Sequence, residues 1–353
     1  MAELVGALRV RQTIIQKCVI LILLVATTVS FSYPQTDSPE TPDRPLPRII
    51  DPSLTDPTLF RDVPQLADAQ DLNSISRLIQ RGRLKEARER LRDQIASKGE
   101  SHETLYLEAK ILFKEKKFME SLKVLERCLS MEQHDPEVYM LIASNAILLN
   151  KMDIAERSLT SALQLTPNDY MLHLHLGLLH YTQGHFRQGE SELRQVVRLK
   201  PDFMKGYDIL GGLLEDSRQD QAAIQCYRKA IELTKSQGLN DDSGYRHLGM
   251  ILLKNNEYQA SLSNLQEAVE VNPKSAEAFY FLGKVWNALG DISKAQDALE
   301  RSIRNDPTYA ASHYLLSRIY RAQGKAEAAD REMQIFQEFR KAEDAKTRAL
   351  RTH

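Results

Sequence analysis

Apolar and polar residues recur with a helical period along most of this 353-residue chain, from about residue 70 onward. Apolar side chains fall at i, i+3, i+4 and i+7, a spacing that places them on one buried stripe of an amphipathic helix. The helical stretches are short and come in pairs, each pair joined by a short turn. No alternation typical of strands is present, and Gly and Pro are sparse in this region. The pattern predicts an all-helical region built from paired helices.

Proline marks a fixed period in this region. The separation from Pro167 to Pro201 is 34, and that from Pro273 to Pro307 is the same. Between Pro201 and Pro273 the separation is 72, which is twice 34 plus four. A period of this length indicates an array of stacked helix pairs in which each pair contacts only its neighbours. We expect the four extra residues, 235–238, to lengthen a helix or a turn. The alternatives for their effect are that they bend the array, that they mark a contact point, or that they have no consequence.

Residues of matching size recur at the same places in successive units. The clearest of these are Gly177, Leu193, Gly211, Ala223, Tyr227, Gly249, Leu265, Gly283, Ala295 and Leu299. With these residues at this period, the chain resembles the tetratricopeptide repeat family. The resemblance implies that the small residues lie where the two helices of a pair cross, with the large apolar residues beside them. The resemblance implies an all-α fold, a right-handed superhelical solenoid of about seven to eight helix-turn-helix repeats over residues 71–340.

Three positions depart from the family pattern, and the first unit is hard to recognise. Ser121 and Ser261 stand where the family places Ala, and Glu108 stands where Leu is usual. The first unit, about residues 71–98, matches in only half of its positions. We therefore leave open whether it folds as a full helix pair.

Several residues predict where helices begin and end. Gly184, Gly290 and Gly324 follow first helices, and we expect each to take the left-handed conformation that ends a helix. Asp135 before Pro136 predicts an N-cap followed by Pro in the first turn. Residues 341–353 are highly charged and predict a charged C-terminal helix or tail, since a terminal repeat needs a polar outer face.

The N-terminal region has the composition of a targeting segment and a spacer. Basic residues precede an uncharged, apolar run over 18–36, a pattern that predicts either a signal peptide over residues 1–32, cleaved after Ser32, or an uncleaved membrane anchor. A soluble helix is the third alternative. Either leading interpretation places the repeats outside the cytoplasm, in the periplasm, secreted or membrane-anchored. Eight of the thirteen prolines lie between residues 34 and 64, so residues 33–70 are predicted to be a Pro-rich, disordered linker.

Overall charge and cysteine content exclude some classes of protein. The formal net charge is −1, so no general attraction to nucleic acid is expected. Three cysteines are too few for a disulfide framework, and we expect Cys128 and Cys226 to be reduced and separate. A basic cluster over residues 77–92 has two interpretations: contact with lipid headgroups near a tether, or the solvated face of a capping helix pair.

Sequence motifs of catalysis are missing. No Walker loop, GxSxG elbow, HExxH helix or dinucleotide-binding loop occurs, so we expect no catalytic residues, no cofactor and no enzyme activity. Four histidines cluster in one unit, at His173, His175, His180 and His185. Residues two apart do not share a helix face, and no Cys or carboxylate set completes a tetrahedral site, so no metal site is predicted.

What the resemblance adds is a groove for protein segments, since in this family the first helix of each unit lines the concave surface. The matching positions are Met140, Ser144, Leu174, Leu178, Tyr181, Asp208, Glu215, Arg246, Met250, Tyr280, Lys284, Tyr314 and Arg318. The resemblance implies a non-enzymatic protein–protein interaction scaffold that binds protein or peptide partners, exported or membrane-tethered. An accessory or regulatory subunit of an enzyme encoded elsewhere, and self-association through terminal helices, are the alternatives.

Overall fold

The computed structural model describes residues 69–131 and 135–351, and every element in these ranges is an α-helix or a turn. The predicted signal peptide or anchor over residues 1–32 and nearly all of the predicted linker over 33–70 lie outside the described residues. Among the described helices, none combines the length and the apolar character that crossing a membrane requires. The described residues fall into two compact units, one ending at Leu199 and the other beginning at Lys200.

The first unit holds four helix pairs. Its helices are α1 (Ala69–Gln80), α2 (Leu84–Lys98), α3 (His102–Lys114), α4 (Phe118–Leu129), α5 (Pro136–Leu148), α6 (Met152–Leu165), α7 (Tyr170–Thr182) and α8 (Phe186–Leu199). The doubtful first unit of the sequence is a full helix pair, because Ile75, Leu78 and Ile79 of α1 pack with Ala87 and Leu91 of α2 in a buried cluster.

The second unit holds four more pairs. Its helices are α9 (Met204–Asp216), α10 (Asp220–Gln237), α11 (Ser243–Lys254), α12 (Tyr258–Val271), α13 (Ala276–Ala288), α14 (Ile292–Asn305), α15 (Ala310–Ala322) and α16 (Ala326–Arg351). The charged residues 341–351 do not form a separate helix. They continue α16, which has 26 residues against 14 for α14.

One backbone conformation joins the two helices of every pair. A residue with positive φ follows each first helix, and the numbers of successive residues in this set rise by 34, except for one step of 38. These residues are Gly82, Lys116, Asn150, Gly184, Arg218, Asn256, Gly290 and Gly324. At each, the residue after it donates its N–H to a carbonyl five residues back, as Asn150 is followed by Lys151 N–H to Ala146 O at 2.7 Å. This is the Schellman arrangement, and it confirms the three predicted glycine caps.

Close packing at the helix crossings is confirmed by the space around the small residues. A Cβ added at Gly211 would lie 2.5 Å from the Tyr227 ring, and one added at Gly249 would lie 2.6 Å from Leu265 Cγ. A Cβ added at Gly283 would lie 2.8 Å from Leu299 Cγ, which is also too close for an unstrained contact. In each case the partner lies on the second helix of the same pair. Glycine is needed here because no other residue allows the two backbones to approach this closely.

The two serines that depart from the family pattern have a structural role. Ser121 and Ser261 are fully buried. Ser121 Oγ donates to Ala109 O at 2.9 Å, and Ser261 Oγ donates to Gly249 O at 2.6 Å, each bond crossing from second helix to first. A buried hydroxyl must find an acceptor, and here the close crossing itself supplies one.

The four extra residues lengthen a helix. α10 has 18 residues where α8 and α12 have 14, and it ends at Gly238, which takes the left-handed conformation with φ 63°. The added turn is fixed to the loop between α8 and α9, because Gln237 Nε2 donates to Asp202 O at 2.6 Å. The helix alternative of the sequence prediction is therefore the correct one.

Candidate functional site: the face of the first helices

Several first helices of neighbouring pairs lie side by side. In the second unit α9 contacts α11, α11 contacts α13, and α13 contacts α15; in the first unit α1 contacts α3 and α3 contacts α5. A continuous surface of first-helix side chains results along α9, α11, α13 and α15 and along α1, α3 and α5. We call the surface formed by α9, α11, α13 and α15 the first-helix face. All thirteen predicted groove residues lie on first helices, eight of them on this face.

Five of the predicted residues are too buried to offer contact area in this structure. Leu174, Leu178 and Tyr181 of α7 are at most 3% exposed, and Met250 and Tyr280 are at most 8% exposed. Tyr280 packs edge-on against Phe281 and Tyr309, with ring centroids 5.0 and 5.4 Å apart. Sequence position alone suggested an accessible apolar inner surface at α7. These side chains instead fill the interior. Their role in partner binding stays a prediction, and it would need a change in packing that exposes them.

Three other predicted residues have partners inside the chain. Asp208 Oδ1 lies 2.6 Å from Nδ1 of His247, and Tyr227 donates its hydroxyl hydrogen to Glu215 at 3.0 Å. Arg246 forms ion pairs with Glu277 on the next first helix, at 2.8 Å, and with Asp242, at 3.6 Å. These three charged side chains lie on helices of the first-helix face, and each also links its helix to a neighbouring one.

The link from Arg246 to Glu277 has a counterpart in the first unit. Tyr106 on α3 donates its hydroxyl hydrogen to Glu137 on α5 at 3.0 Å, again from one first helix to the next. Burial, with the carboxylate of Glu137 beside it, raises the pKa of Tyr106 well above its usual value. Met140 and Ser144, the remaining predicted residues of this unit, are half-buried on α5.

Cation–π contacts involve the predicted residues of α13 and α15, and Arg318 is the one predicted residue that is exposed. Lys284 Nζ lies 5.6 Å from the ring centroids of both Tyr280 and Phe281. Arg318 is exposed, and its guanidinium lies 5.9 Å from the centre of the Tyr314 ring. Both arrangements are cation–π contacts, which hold a long side chain in a defined place.

Sequence reasoning missed three residues that support this end of the face. Phe336 on α16 packs on Tyr314 with centroids 5.1 Å apart, and Arg340 lies over Phe336 at 5.7 Å. Glu277 pairs with Arg246. The separation in sequence from Arg246 to Glu277 equals that from Tyr106 to Glu137, but only the structure shows that either pair is in contact. No comparable repeat identifies Phe336 and Arg340, because α16 is the last helix.

The histidines of the fourth pair act in packing and bracing. His173 Nδ1 lies 2.6 Å from Glu192 Oε2, and its Nε2 lies 3.0 Å from Pro167 O. His313 repeats both contacts, with Glu332 at 2.6 Å and Pro307 O at 3.0 Å. His180 is buried, which lowers its pKa, and its ring is 6.0 Å from that of His185. Within residues 69–131 and 135–351, no group of three or more potential ligands is placed to hold a metal ion.

Two of the cysteines lie in the described region, and both are free thiols. Cys128 is buried and Cys226 is half-buried. Burial raises the pKa of Cys128 to about 12, and its thiol donates to His102 O at 3.4 Å. The two thiols are not bonded to each other, and that they are reduced in the protein stays a prediction.

Comparison with known proteins places tetratricopeptide repeats in this chain. Residues 174–237 and 252–319 each match a tetratricopeptide repeat family model, and residues 61–190 match the model of the coatomer epsilon subunit. The repeats predicted from the sequence are thereby confirmed over these two stretches.

Curated relatives are distant and longer. Human protein O-mannosyl-transferase TMTC3 is 24% identical over 54% of this chain and 22% of its own length. The Drosophila melanogaster homologue of BBSome complex member BBS4 is 22% identical over 55% of this chain and 39% of its own. This chain thus spans less than half the length of either relative.

Solved structures support the same fold. The C-terminal part of a repeat-containing protein from Cytophaga hutchinsonii has a TM-score of 0.53 at 17% identity, over 65% of this chain and 93% of that one. The APC/C hetero-tetramer Cut9–Hcn1 has a TM-score of 0.52 at 18% identity, over 72% of this chain and 49% of that one. At this identity the likeness concerns the fold alone.

Proposed function

We propose that this tetratricopeptide repeat protein is a non-enzymatic scaffold that binds segments of partner proteins on the first-helix face. Tetratricopeptide repeats generally mediate protein–protein interactions. One observation carries the proposal further: Tyr280 with Lys284, and Tyr314 with Arg318, place a cation over an aromatic ring at the same position of consecutive pairs. Aromatic residues and arginine are the side chains that dominate binding energy at protein interfaces.

The binding surface in this proposal differs from the groove predicted by sequence alone. Its centre is at α13 and α15, where Arg318 is exposed and Lys284 and Tyr314 are half-buried. Arg246 is part of the framework rather than a freely offered charge, because it pairs with Asp242 and Glu277. The predicted residues of α7 are not part of this surface, since α7 belongs to the first unit.

The proposal places the scaffold outside the cytoplasm, either exported or tethered by its N-terminal segment. Support comes from the sequence of residues 1–36, with basic residues before an uncharged, apolar run. N-terminal sequencing of the mature protein tests this part. A new N-terminus near Tyr33 supports cleavage, an intact N-terminus in the membrane fraction supports anchoring, and an intact N-terminus in the cytosol contradicts both.

The accessory role for an enzyme encoded elsewhere is the second candidate. The similarity to part of an O-mannosyl-transferase favours it, since the match covers only 22% of that enzyme. Co-purification of one enzyme in a fixed stoichiometry would support the accessory role. Capture of several unrelated proteins through the same face would support a general scaffold.

Charge reversal tests the binding surface. We expect Lys284→Glu and Arg318→Glu to reduce cross-linked capture of partners from native membranes, with unchanged helicity in circular dichroism. Arg304→Glu on α14 is the matched control, since Arg304 is exposed and lies on a second helix. Arg246→Glu should lower stability as well, because it breaks two ion pairs. Equal capture by all variants would contradict the proposed surface.

A further inference from the structure

A histidine occupies an apolar core position of the fourth helix pair, which is formed by α7 and α8. His180 stands on α7 where Ala146 and Leu214 stand one period before it and one period after it. All three side chains are buried, at most 4% exposed. Ala146 and Leu214 are hydrocarbon, whereas an imidazole can gain a charge at roughly pH 5 to 8. The core of this pair therefore contains a group whose polarity depends on pH.

One nitrogen of this ring is buried without a hydrogen-bond partner. Within the described part of the chain, no residue forms a hydrogen bond with Nδ1 of His180. A neutral imidazole can hold its hydrogen at Nε2 and leave Nδ1 without one, but the protonated ring has a hydrogen on both nitrogens. Protonation therefore buries a charged donor at Nδ1 without an acceptor, which is costly in free energy.

The ionisable groups around His180 come from the elements beside it. His185 lies in the turn between α7 and α8, with its ring 6.0 Å from that of His180. Glu156 on α6 and Glu192 on α8 also act on it, although Glu192 Oε2 already lies 2.6 Å from Nδ1 of His173. Burial lowers the pKa of His180 and His185 lowers it further, while the two carboxylates act in the opposite direction. The net direction is downward, so the surroundings favour the neutral ring.

We propose that His180 makes the fourth helix pair sensitive to acid, because protonation of its buried ring favours the opening of α7 and α8. The neutral ring makes its full contribution to the closed pair above its ordinary pKa of 6.5. This contribution is lost as the pH falls below that value, because the opened pair takes up the proton first. From pH 7 to pH 5, one such group raises the equilibrium constant for opening by at most about 25-fold.

Opening of this pair also concerns the predicted groove residues of α7. Leu174, Leu178 and Tyr181 are at most 3% exposed, so a change in packing is needed to expose them. Local opening of a helix pair is such a change. Acid therefore uncovers apolar side chains of α7 in this proposal. The effect is separate from the proposed binding surface at α13 and α15 and does not depend on it.

Hydrogen exchange of the full-length protein, read by mass spectrometry at pH 7 and pH 5, measures this opening segment by segment. After correction for the pH dependence of the intrinsic exchange rate, peptides from α7 and α8 should show an opening constant about fivefold higher or more at pH 5. His180→Leu, which introduces the residue type of Leu214, should remove this increase, and His185→Gln at an exposed position should keep it. The absence of any increase in the wild type, or an equal increase in His180→Leu, would overturn the proposal.

A second measurement requires no variant to fold. NMR titration of the histidine ring protons in the wild-type protein follows the charge of His180 directly, and its signal is assigned through its proximity to the ring of His185. The ring of His180 should remain mostly neutral at about pH 6.5, where a free imidazole is half charged. A ring that is half charged at or above this pH in the folded protein would overturn the proposal.

Discussion

Ser261 Oγ donates a hydrogen bond of 2.6 Å to the carbonyl oxygen of Gly249, across the crossing of α12 and α11. The family pattern places Ala at this position, which has no hydroxyl. The close approach of the two helices supplies the hydroxyl of Ser261 with a hydrogen-bond acceptor. We expect Ser261→Ala to lower the free energy of unfolding by about 1 kcal/mol, the usual net contribution of a buried hydrogen bond. Urea denaturation measures this. Ser263→Ala, at an exposed position of the same helix, is the control, and an equal effect at both sites would show that the bond contributes nothing.

Gly249 itself is predicted to tolerate no side chain. A Cβ at this position would lie 2.6 Å from Leu265 Cγ, so Gly249→Ala should destabilise the protein by about 1–3 kcal/mol through overpacking. Alanine's better helix propensity offsets about 1 kcal/mol of this cost. The double variant Gly249→Ala with Leu265→Ala should be less destabilised than the sum of the two single variants, because the added methyl fills part of the cavity. A strictly additive result would mean that the two positions do not contact.

His313 is predicted to stabilise the last helix pair through polar contacts rather than ring packing. Its ring nitrogens lie 2.6 Å from Glu332 and 3.0 Å from Pro307 O. His313→Phe keeps an aromatic ring beside Phe339 but leaves the carboxylate and the carbonyl without this partner, at a cost of about 1–3 kcal/mol. His173→Phe should behave alike, since His173 makes the same two contacts. If His313→Phe lowers the melting temperature by less than a substitution at an exposed position does, the bracing role is contradicted.

Cys128 is predicted to be unreactive in the folded protein. Its pKa of about 12 keeps the thiol protonated at neutral pH, and the thiolate is the reactive form. Iodoacetamide at pH 8 should leave Cys128 unmodified by mass spectrometry until denaturant is added. The buried neutral thiol makes its full contribution to the free energy of unfolding below the ordinary pKa of about 9. This contribution is lost as the pH rises toward 12, because the thiol of the unfolded protein ionises first. Rapid alkylation of folded protein would contradict this.

Features that are set by the repeat period and by single residues can be predicted from this sequence. The helix pairs, the glycine crossings and the caps at Gly184, Gly290 and Gly324 follow from the fixed repeat period and elementary backbone sterics. The equivalent turns at Lys116, Asn150, Arg218 and Asn256 were not predicted, since residues other than glycine rarely adopt positive φ. There the Schellman hydrogen bonds offset the cost.

The candidate site was predicted in part. Its residues lie on first helices as expected. Their exposure, however, depends on how neighbouring side chains pack, and the position of a residue in the repeat does not predict that packing. Tyr280 is buried because Phe281 and Tyr309 pack against it, whereas Tyr314 at the same position of the next pair is half-buried. The braces from Asp208 to His247 and from Arg246 to Glu277 likewise join residues that are far apart in sequence, on different helix pairs.

Site-specific photo-cross-linking shows whether a partner segment lies on the first-helix face. A p-benzoylphenylalanine residue replaces Tyr314 on the first-helix face in one full-length variant and Ser263, exposed on α12, in another. The account predicts that irradiation of cells links a partner segment to position 314 and not to position 263, and that Arg318→Glu in the first variant lowers the yield. Equal cross-linking at the two positions, or cross-linking at position 263 alone, would contradict it.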